Sequence, residues 1–414
     1  MATTHPDKSA SASGGQAAPT AAPAALTAAA MISYADRFGF IPLVAAAATG
    51  LRAALSDVAT AVSIYFLLYG AAQPIIGILS DRRGRVRVLR WALATLAVSD
   101  LAAALAPGSV SLIATRAVAG AASGALLPTT LVYLGDTVDF RFRQRAVARV
   151  LAAAALAAAA AMAASGLLAQ WVGWRAPLLL VAVPAAVLSI QLRDLAEPPR
   201  SAERTSLLQV LRSSPATRAL MVFALAEGAA MLGFFPFLAP MLESRGSSTA
   251  VAGTVVGVYG IATVAGSRLL GTMPARLAPR LPLIAGGLAM VVGYLIISLS
   301  QGIAPVLATA ALLGFSFSLF HSTFQTWATQ LLPNARGVVT SLFVSAVFTG
   351  AALASLWGGG LESRHAYHEL FAIATALAGA VGIIGTIARL RHPSTAVNPG
   401  AASPHGGSTA PSRH

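Results

Sequence analysis

The chain has 414 residues, of which 56% are hydrophobic and 10% are charged, and its mean hydropathy is +0.73. These values exclude a water-soluble globular protein with a charged surface and indicate a polytopic membrane protein. The absence of cysteine excludes disulfides, thiolate catalysis and cysteine-ligated metal sites. The net charge of +14 comes from arginines spread over many loops, which indicates membrane topology rather than the basic face of a nucleic-acid-binding protein.

Apolar segments long enough to cross a bilayer recur along the whole chain. A hydrocarbon core about 30 Å thick needs about 20 apolar residues per helix. The sequence therefore predicts an all-α membrane protein with twelve transmembrane helices. We number them spans 1 to 12 and place them at 25–48, 57–79, 88–107, 109–133, 146–170, 176–192, 218–242, 249–273, 281–300, 304–329, 336–358 and 367–389.

Three hydrophilic segments divide this chain. Residues 1–24 and 392–414 are rich in Ala, Ser, Pro and Gly, and we expect both to be disordered cytoplasmic tails; residues 1–24 lack the pattern of a cleaved signal. Residues 193–217 form a cytoplasmic linker between an N-terminal bundle, 25–192, and a C-terminal bundle, 218–391. Within the linker, 206–211 is either a short amphipathic surface helix or part of a plain tether.

A dense charged turn, Gly77-Ile78-Leu79-Ser80-Asp81-Arg82-Arg83-Gly84-Arg85, joins spans 2 and 3. It resembles the loop motif of the major facilitator superfamily of secondary transporters, G-x-L-A/S-D-R-x-G-R-R/K-x-x-L/I, with Val86 where a second basic residue is usual. The resemblance implies two pseudo-symmetric six-helix bundles that work by alternating access. It also implies that the loop closes the cytoplasmic side in the outward-open state; the alternative is a solvated loop that only enforces topology. The residues concerned are Gly77, Asp81, Arg82, Gly84 and Arg85.

An internal repeat supports the division into six and six helices. Tyr65 precedes Gly77 by the same spacing at which Tyr259 precedes Gly271, so spans 2 and 8 align. Arg276 then corresponds to Arg82, whereas Ala275 corresponds to Asp81. Two parallel repeats with a site at their interface are the architecture that this pattern implies.

Span 4 places Arg116, Gly120 and Gly124 on one helix face. This stripe resembles the superfamily pattern L-x-x-x-R-x-x-Q/A-G-x-G/A, whose arginine is associated with proton coupling. An arginine inside a span costs about 2.5 to 3.5 kcal/mol on insertion scales, so we expect it to meet a cavity or an acid. Span 1 supplies Asp36 at a similar depth, next to Arg37. We predict a proton-coupling set of Asp36, Arg37 and Arg116; alternatively, Asp36 and Arg37 are a self-neutralising structural pair.

Other polar residues inside spans have more than one interpretation. Glu227 in span 7 is either a second proton site or substrate counter-charge, or a structural hydrogen-bond partner of another helix. Asp100 in span 3 is interpreted as a packing residue. Spacing on shared helix faces, together with the small and aromatic residues of spans 4 and 7, predicts a substrate cavity lined by Tyr65, Tyr69, Gln73, Gly120, Gly124, Phe234, His321 and Gln325.

The direction of transport is weighed from two further resemblances. The Gly-Pro antiporter motif of exporters is incomplete in span 5, where only Ser165-Gly166 is kept and the proline is missing. Tyr34-Ala35-Asp36-Arg37 is similar to the Y-A/I/L-D-R signature of organic anion symporters. The aromatic and methionine residues near Phe234 favour an apolar substrate. We predict proton-driven efflux of a small, partly hydrophobic compound, with proton-coupled uptake of an organic anion as the alternative and a transporter-like ligand sensor as a remote one.

The expected partners follow from these features. They are a lipid bilayer, a small-molecule substrate and protons. The chain lacks a P-loop and a visible nucleophile–base set, so we expect no ATP, no cofactor, no metal, no nucleic acid and no enzymatic activity. We expect a monomeric, multi-pass protein of a bacterial inner membrane with both termini cytoplasmic.

The arginine asymmetry makes the topology testable. A reporter fused after Arg90 or Arg204 should read cytoplasmic, and one inserted at Gly108 or Gly302 should read external, because the loops after spans 2 and 4 carry many arginines and the turns at 107–111 and 301–302 carry no charge. External labelling near Arg204 would contradict the six-plus-six division.

Overall fold

The computed structural model describes residues 21–198, 215–273, 280–331 and 336–391, and in those ranges every regular element is helical. Spans 1 to 6 are Ala21–Gly39 continued by Val44–Leu51, Leu55–Arg83, Arg85–Ala104, Ser109–Thr137, Phe140–Trp171 and Ala176–Gln191. Spans 7 to 12 are Pro215–Gly228 continued by Leu238–Ser244, Thr249–Thr272, Arg280–Leu299, Ile303–Ser316 continued by Ser322–Leu331, Arg336–Glu362 and Tyr367–Arg391.

Ten of these helices are long and apolar enough to cross a membrane by length and composition. Span 1, which is broken in the middle, and span 3, which starts with three arginines, are outside that set. Several helices extend past the predicted apolar limits, span 1 from Ala21 and span 11 to Glu362. The tail residues 1–20 and 392–414, the linker residues 199–214 with the 206–211 piece, and Ala275 and Arg276 lie outside the described residues.

The helices pack as two bundles. In the N-terminal bundle span 2 lies against span 4, span 1 against span 5, and span 3 against spans 4 and 6. In the C-terminal bundle span 7 lies against span 11, span 8 against span 10, and span 9 against spans 10 and 12. The bundles meet along two seams, span 2 with span 11 and span 5 with span 8. The predicted fold class is confirmed.

The repeat reaches further than spans 2 and 8. Spans 1 and 7 are both interrupted by a 3₁₀ turn, Ile41–Leu43 in one and Phe235–Phe237 in the other. Each turn contains a proline, Pro42 or Pro236, which has no N–H to donate to the helix. The two prolines are 194 positions apart, the same offset that separates Tyr65 from Tyr259. The break is therefore a feature of the repeat unit.

Equivalent glycines bring equivalent helices into backbone contact. A β-carbon at Gly120 of span 4 would collide with the carbonyl oxygen of Tyr65 in span 2, and one at Gly314 of span 10 would collide with that of Tyr259 in span 8. These pairs are again related by the repeat. Small residues at such crossings let two membrane helices approach closely and gain van der Waals contact.

Within the described residues, contacts close the two bundles against each other at one end. At the end away from the arginine-rich loops, Ser63 of span 2 donates a hydrogen bond to Ser355 of span 11 (Oγ–Oγ distance 2.9 Å), and Gly166 of span 5 lies against the Thr249 backbone of span 8. Towards the arginine-rich end, Gly77 and Gly271 have room for a β-carbon with no described atom of another segment within 4 Å. We call the closed end the arginine-poor gate.

The glycine contacts predict a position-specific effect on stability. Gly120→Ala should lower the free energy of unfolding by about 1–3 kcal/mol, because the added carbon overpacks a backbone contact that cannot move aside. Gly135→Ala in the same helix is the matched control, since no described atom lies within 4 Å of its β-carbon position; it should be neutral or stabilising by up to about 1 kcal/mol through helix propensity. Denaturation followed by tryptophan fluorescence in detergent measures both. Equal stability of the two variants would contradict the contact.

Candidate functional site

One buried guanidinium joins three helices of the N-terminal bundle. Arg116 of span 4 donates from Nη1 to Oδ1 of Asp36 in span 1 at 2.6 Å and to Oδ1 of Asp100 in span 3 at 2.7 Å. Its Nη2 also reaches the Asp36 carbonyl oxygen at 3.4 Å. All three side chains are 1% exposed or less. We call Asp36, Asp100 and Arg116 the acid–arginine cluster.

The charges in this cluster do not balance when both acids are ionised. Two carboxylates and one guanidinium leave a net charge of −1 inside the bundle, which is costly away from water. One proton, on either carboxyl group, makes the cluster neutral. Because both acids contact the same cation, we assign the proton to the pair rather than to one residue. The arrangement can therefore hold and release a single proton.

Aromatic rings complete the walls around this cluster. The Tyr65 hydroxyl donates to Oδ2 of Asp36 at 2.5 Å, and the Arg116 guanidinium carbon lies 4.5 Å from the Tyr65 ring centroid and 4.8 Å from that of Phe40. Oδ2 of Asp100 and Nε of Arg116 have no hydrogen-bond partner among the described residues. Asp36 is thus held on both oxygens, whereas Asp100 keeps one oxygen free to carry a proton.

Arg37 points into a separate aromatic environment. Its guanidinium carbon lies 4.2 Å from the ring centroid of Tyr34, 4.7 Å from Phe38, 4.9 Å from Tyr69 and 5.2 Å from Phe348 of span 11. No ion pair to Arg37 occurs in the described part of the chain, and Asp36 pairs with Arg116 rather than with its neighbour. Arg37 is a buried cation, stabilised by ring faces, at the seam between the two bundles.

The other predicted residues of span 2 and span 4 surround these two arginines. Tyr69 stacks on Tyr65, with ring centroids 6.2 Å apart, and packs against Phe348 at 4.4 Å. Gly124 lies under the Tyr69 backbone as Gly120 lies under that of Tyr65, so both glycines support span 2 rather than facing open space. Gln73, one turn further along span 2, is also buried.

In the C-terminal bundle the structure brings together Glu227 and His321. Nδ1 of His321 lies 3.1 Å from Oε1 of Glu227, and both side chains are buried. Glu227 lies two residues before the π-helical turn Ala229–Gly233 of span 7, and His321 is the last residue of the π-helical turn Phe317–His321 of span 10. Such turns often mark functional positions. No group of three or more acidic or histidine side chains that could hold a metal occurs within the described ranges.

The remaining two cavity candidates lie apart from this pair. Phe234 packs into the interior of the C-terminal bundle against Tyr294, with ring centroids 6.2 Å apart. Gln325, one turn beyond His321, is partly exposed. The neighbouring residue, Phe235, faces the other bundle, and its ring centroid lies 6.3 Å from that of Phe38 in span 1. Within its own bundle, the Phe235 ring centroid lies 4.6 Å from that of Tyr259.

The repeat has no second copy of the acid–arginine cluster. The positions that correspond to Asp36, Asp100 and Arg116, each 194 residues later, are Ala230, Tyr294 and Ala310. These three residues are fully buried in the C-terminal bundle. The same helix packing is therefore achieved there with uncharged side chains. The fold does not require the cluster, which indicates a functional reason for its presence.

An apolar cavity of about 290 Å³ borders the cluster on the side of spans 5 and 6. Asp36 forms part of its wall, and the exposed side chains of Met31 and Leu180 stand at its rim. The part of the wall that span 5 contributes is mostly alanine: Ala157, Ala160, Ala161 and Ala164.

The charged loop between spans 2 and 3 interacts with its own bundle. Arg85 pairs with Asp81, donates to the Ser80 hydroxyl at 2.9 Å and reaches Asp136 at the end of span 4 at 3.3 Å. The carboxylate of Glu197 accepts from the Val86 amide at 3.2 Å.

Gly84 adopts the left-handed region (φ +103°), with the Glu197 carboxylate directly beside it. Arg82 is exposed and Gly77 has no described neighbour.

Sequence reasoning missed Asp100, Asp136 and Glu197. Asp100 is an acid inside an apolar span, which is a signal in itself. Asp136 and Glu197 end hydrophilic turns, where an acid is usually solvated, and no local pattern distinguishes them.

A family model described as Major Facilitator Superfamily matches residues 26–355, and a second match covers 228–412. The chain belongs to the Major Facilitator Superfamily. It is therefore a multi-pass integral membrane protein of a transporter superfamily. The prediction that it is not an enzyme is confirmed by this membership.

Relatives of this superfamily member differ in how much they share with it. A triacylglyceride transporter of Mycobacteroides abscessus is 34% identical over 146 residues, which are 35% of this chain and 28% of the relative. One of Mycolicibacterium hassiacum is 36% identical over 33% of this chain and 25% of the relative. The match thus spans about a quarter of the length of these relatives. An uncharacterized MFS-type transporter of Bacillus subtilis, YceJ, is 25% identical over 72% of this chain and 78% of its own.

Solved structures of other superfamily transporters show the same fold. A mutant of the nucleoside transporter NupG superposes with a TM-score of 0.74 at 12% identity, over 89% of this chain and 99% of NupG. A bacterial homolog of the human lysosomal transporter Spinster, in an inward-facing and unoccupied conformation, gives 0.71 at 16% identity, over 90% of this chain and 97% of its own.

The acid–arginine cluster predicts a pH-dependent cost for removing its cation. Arg116→Met should lower the free energy of unfolding by about 3–5 kcal/mol at pH 8, because two buried carboxylates lose their partner. The loss should be smaller at pH 5, where the carboxyl groups can be protonated and carry no charge. Thermal denaturation in lipid nanodiscs measures both values. The triple variant with Asp36→Asn and Asp100→Asn should recover most of the stability; an equally unstable triple variant would mean that lost packing, rather than charge, is responsible.

Proposed function

We propose that this transporter moves a small, partly hydrophobic compound out of the cell in exchange for protons. The observation that supports the proposal is the pair of buried carboxylates on one guanidinium, Asp36 and Asp100 on Arg116. The cluster can carry one proton at no net charge, and its absence from the second repeat makes a purely architectural role an insufficient explanation.

Protonation would act through span 1. An ionised Asp36 binds Arg116, and this ion pair fastens span 1 to span 4 close to the break at Ile41–Leu43. A protonated Asp36 loses most of that attraction, and Asp100 alone then neutralises Arg116. Span 1 carries Arg37 and Phe38 to the seam with the C-terminal bundle. The charge of Asp36 therefore biases the position of a helix that contacts both bundles, which is the kind of differential interaction that a population shift requires.

Glu227 would be a second proton site of the C-terminal bundle. Its Oε2 has no partner among the described residues, and Oε1 lies 3.1 Å from Nδ1 of His321. Both residues lie near the π-helical turns, where the helix backbone departs from regular hydrogen bonding.

Two features favour an apolar substrate. Phe38, Phe235, Tyr259 and Phe317 form a continuous aromatic surface between the bundles. The cavity beside Asp36 is open at its rim, and its lining is almost wholly apolar. The relatives named triacylglyceride transporters also carry an apolar compound, although they match this chain over only a third of its length.

A second candidate function is proton-coupled uptake of an organic anion. The specific observation behind it is Arg37, a buried cation ringed by aromatic side chains and without an acidic partner in the ranges that the structure covers. A carboxylate substrate would complete its hydrogen bonding in a bidentate pair. Tyr34, Tyr69 and Phe348 would then contact the apolar part of that substrate.

The loop between spans 2 and 3 would hold the cytoplasmic side closed in the outward-open state. With the arginine-rich side in the cytoplasm, the end of span 2 that carries Gly77 faces inward; no described atom of another segment lies within 4 Å of the β-carbon position of Gly77, and Arg82 is exposed. Closure would bring span 11 against Gly77 and the Asp81–Arg85 pair. We place the transporter, as a monomer, in a bacterial inner membrane with both termini cytoplasmic.

Asp36→Asn tests the coupling role. Ethidium, a lipophilic aromatic cation, serves as the probe in proteoliposomes with an imposed pH gradient. The gradient-driven accumulation of ethidium should be at least tenfold lower in the variant, while exchange of ethidium without a gradient persists. Asp57→Asn, an exposed acid at the start of span 2, is the matched control and should behave as the unchanged protein. Full accumulation by Asp36→Asn with a normal pH profile would contradict the proposal and direct attention to Glu227.

The same vesicles separate the two candidate functions. Benzoate, an aromatic carboxylate, should not accumulate with an inwardly directed proton gradient if the transporter is an exporter of apolar compounds. Benzoate uptake that is lost in Arg37→Gln would favour the organic anion symporter instead.

A further inference from the structure

A second buried acid lies far along the chain from the acid–arginine cluster. Glu362 is the last residue of span 11 and is fully buried. Neither of its carboxylate oxygens has a hydrogen-bond partner among the described residues. A buried carboxylate without a partner is rare, because loss of its hydration costs several kcal/mol when it is charged.

The surroundings of Glu362 belong to both bundles. It lines a small pocket at the arginine-poor gate, together with residues of spans 1 and 2 on one side and of spans 7 and 11 on the other: Val44, Ala59, Val62, Pro236, Phe237 and Ser355. Ser355 is the residue that accepts the hydrogen bond from Ser63 across the seam. Both bundles therefore help to cover Glu362, and opening of this end would remove the part of that cover that spans 1 and 2 supply.

The titratable neighbours of Glu362 supply no positive charge in this pocket. Tyr367 at the start of span 12 is close enough to interact electrostatically with both Glu362 and Glu243, the acid near the end of span 7. His365 is exposed, and its ring centroid lies 6.2 Å from that of Tyr367. Arg364 is exposed. The residues that spans 1, 2 and 7 contribute to the pocket are uncharged.

We propose that Glu362 is a proton-binding site of the arginine-poor gate, protonated when the gate is closed and ionised when it opens. In the closed gate a charged Glu362 would face apolar side chains and Ser355, so the neutral acid is the form that fits. Separation of spans 1 and 2 from spans 7 and 11 admits water, and the carboxylate can then ionise. Proton binding and gate closure are thermodynamically linked, so each favours the other.

This site acts independently of the proposed coupling at Asp36. The acid–arginine cluster lies within spans 1, 3 and 4 of one bundle, whereas Glu362 is at a contact between bundles. A proton on Glu362 stabilises the closed gate whichever direction the substrate moves. If this end is external, acid outside the cell favours the inward-facing state.

Distances between paired spin labels test the proposal. The chain has no cysteine, so two can be introduced at chosen positions without further changes. Val172→Cys with Ser247→Cys spans the arginine-poor gate at the ends of spans 5 and 8, and Phe142→Cys with Thr272→Cys spans the opposite end of the same helices. Measurements in lipid nanodiscs from pH 5 to pH 9 give the ratio of closed to open gate.

In the otherwise unchanged protein the closed fraction should fall as pH rises, with the ratio changing by at most about tenfold per pH unit for a single proton. Glu362→Gln, and Glu362→Met as a second uncharged variant, should keep the gate closed at pH values at which it opens in the unchanged protein. Glu369→Gln, an exposed acid in the first turn of span 12, is the matched control and should retain the pH response.

Three outcomes would overturn the assignment of Glu362. They are a gate that does not respond to pH in the protein without Glu362 substitutions, an undiminished pH response in a Glu362 variant, and a gate that stands open in those variants at low pH. Asp36→Asn separates this inference from the proposed function: it should leave the pH response of the gate in place. A response lost in Asp36→Asn but kept in Glu362→Gln would assign it to the acid–arginine cluster.

Discussion

The burial of the Arg116 guanidinium is the constraint on which the site in the N-terminal bundle depends. A charge that cannot reach water must find acids, and the two it finds belong to different helices, Asp36 on span 1 and Asp100 on span 3. The ion pairs thus fix the relative depth of three spans. The break in span 1 lies beside the cluster. Phe40 and Tyr65 cover the guanidinium, and Arg37 projects to the other side of the helix, towards span 11.

Comparison of the two repeats separates what the fold needs from what the function needs. The glycine contacts and the proline breaks occur in both copies, at Gly120 and Gly314 and at Pro42 and Pro236, because both bundles must bring the same helices together and bend the same one. The charges occur in one copy only. The N-terminal bundle has the three charged residues of the acid–arginine cluster, whereas the C-terminal bundle has uncharged residues at the equivalent positions. Its Glu227–His321 pair lies at other positions.

Much of this could be predicted from the sequence, and the gaps have physical causes. Hydropathy places the twelve spans, since each must hide its backbone from lipid, and the cost of burying Arg116 predicts a nearby acid such as Asp36. From the sequence, Asp100 is interpreted as a packing residue, whereas in the structure the long side chain of Arg116 reaches it from span 4. Glu362 lies beyond the predicted end of span 11, and only the closing of two bundles makes a helix-terminal acid buried.

The two buried acid sites lie at positions that alternating access treats differently. The acid–arginine cluster lies inside one bundle, so its protonation can change without the bundles moving, and it can hold a proton while the transporter changes state. Glu362 lies at the contact between the bundles, so the proposed change in its protonation accompanies opening or closing of the arginine-poor gate. A site of the first kind can carry a proton through the cycle, whereas a site of the second kind can only bias the step at which the gate closes. Carboxylic acids would thus have two roles in this transporter: those of the acid–arginine cluster carry a proton, and Glu362 makes closure of the gate depend on pH.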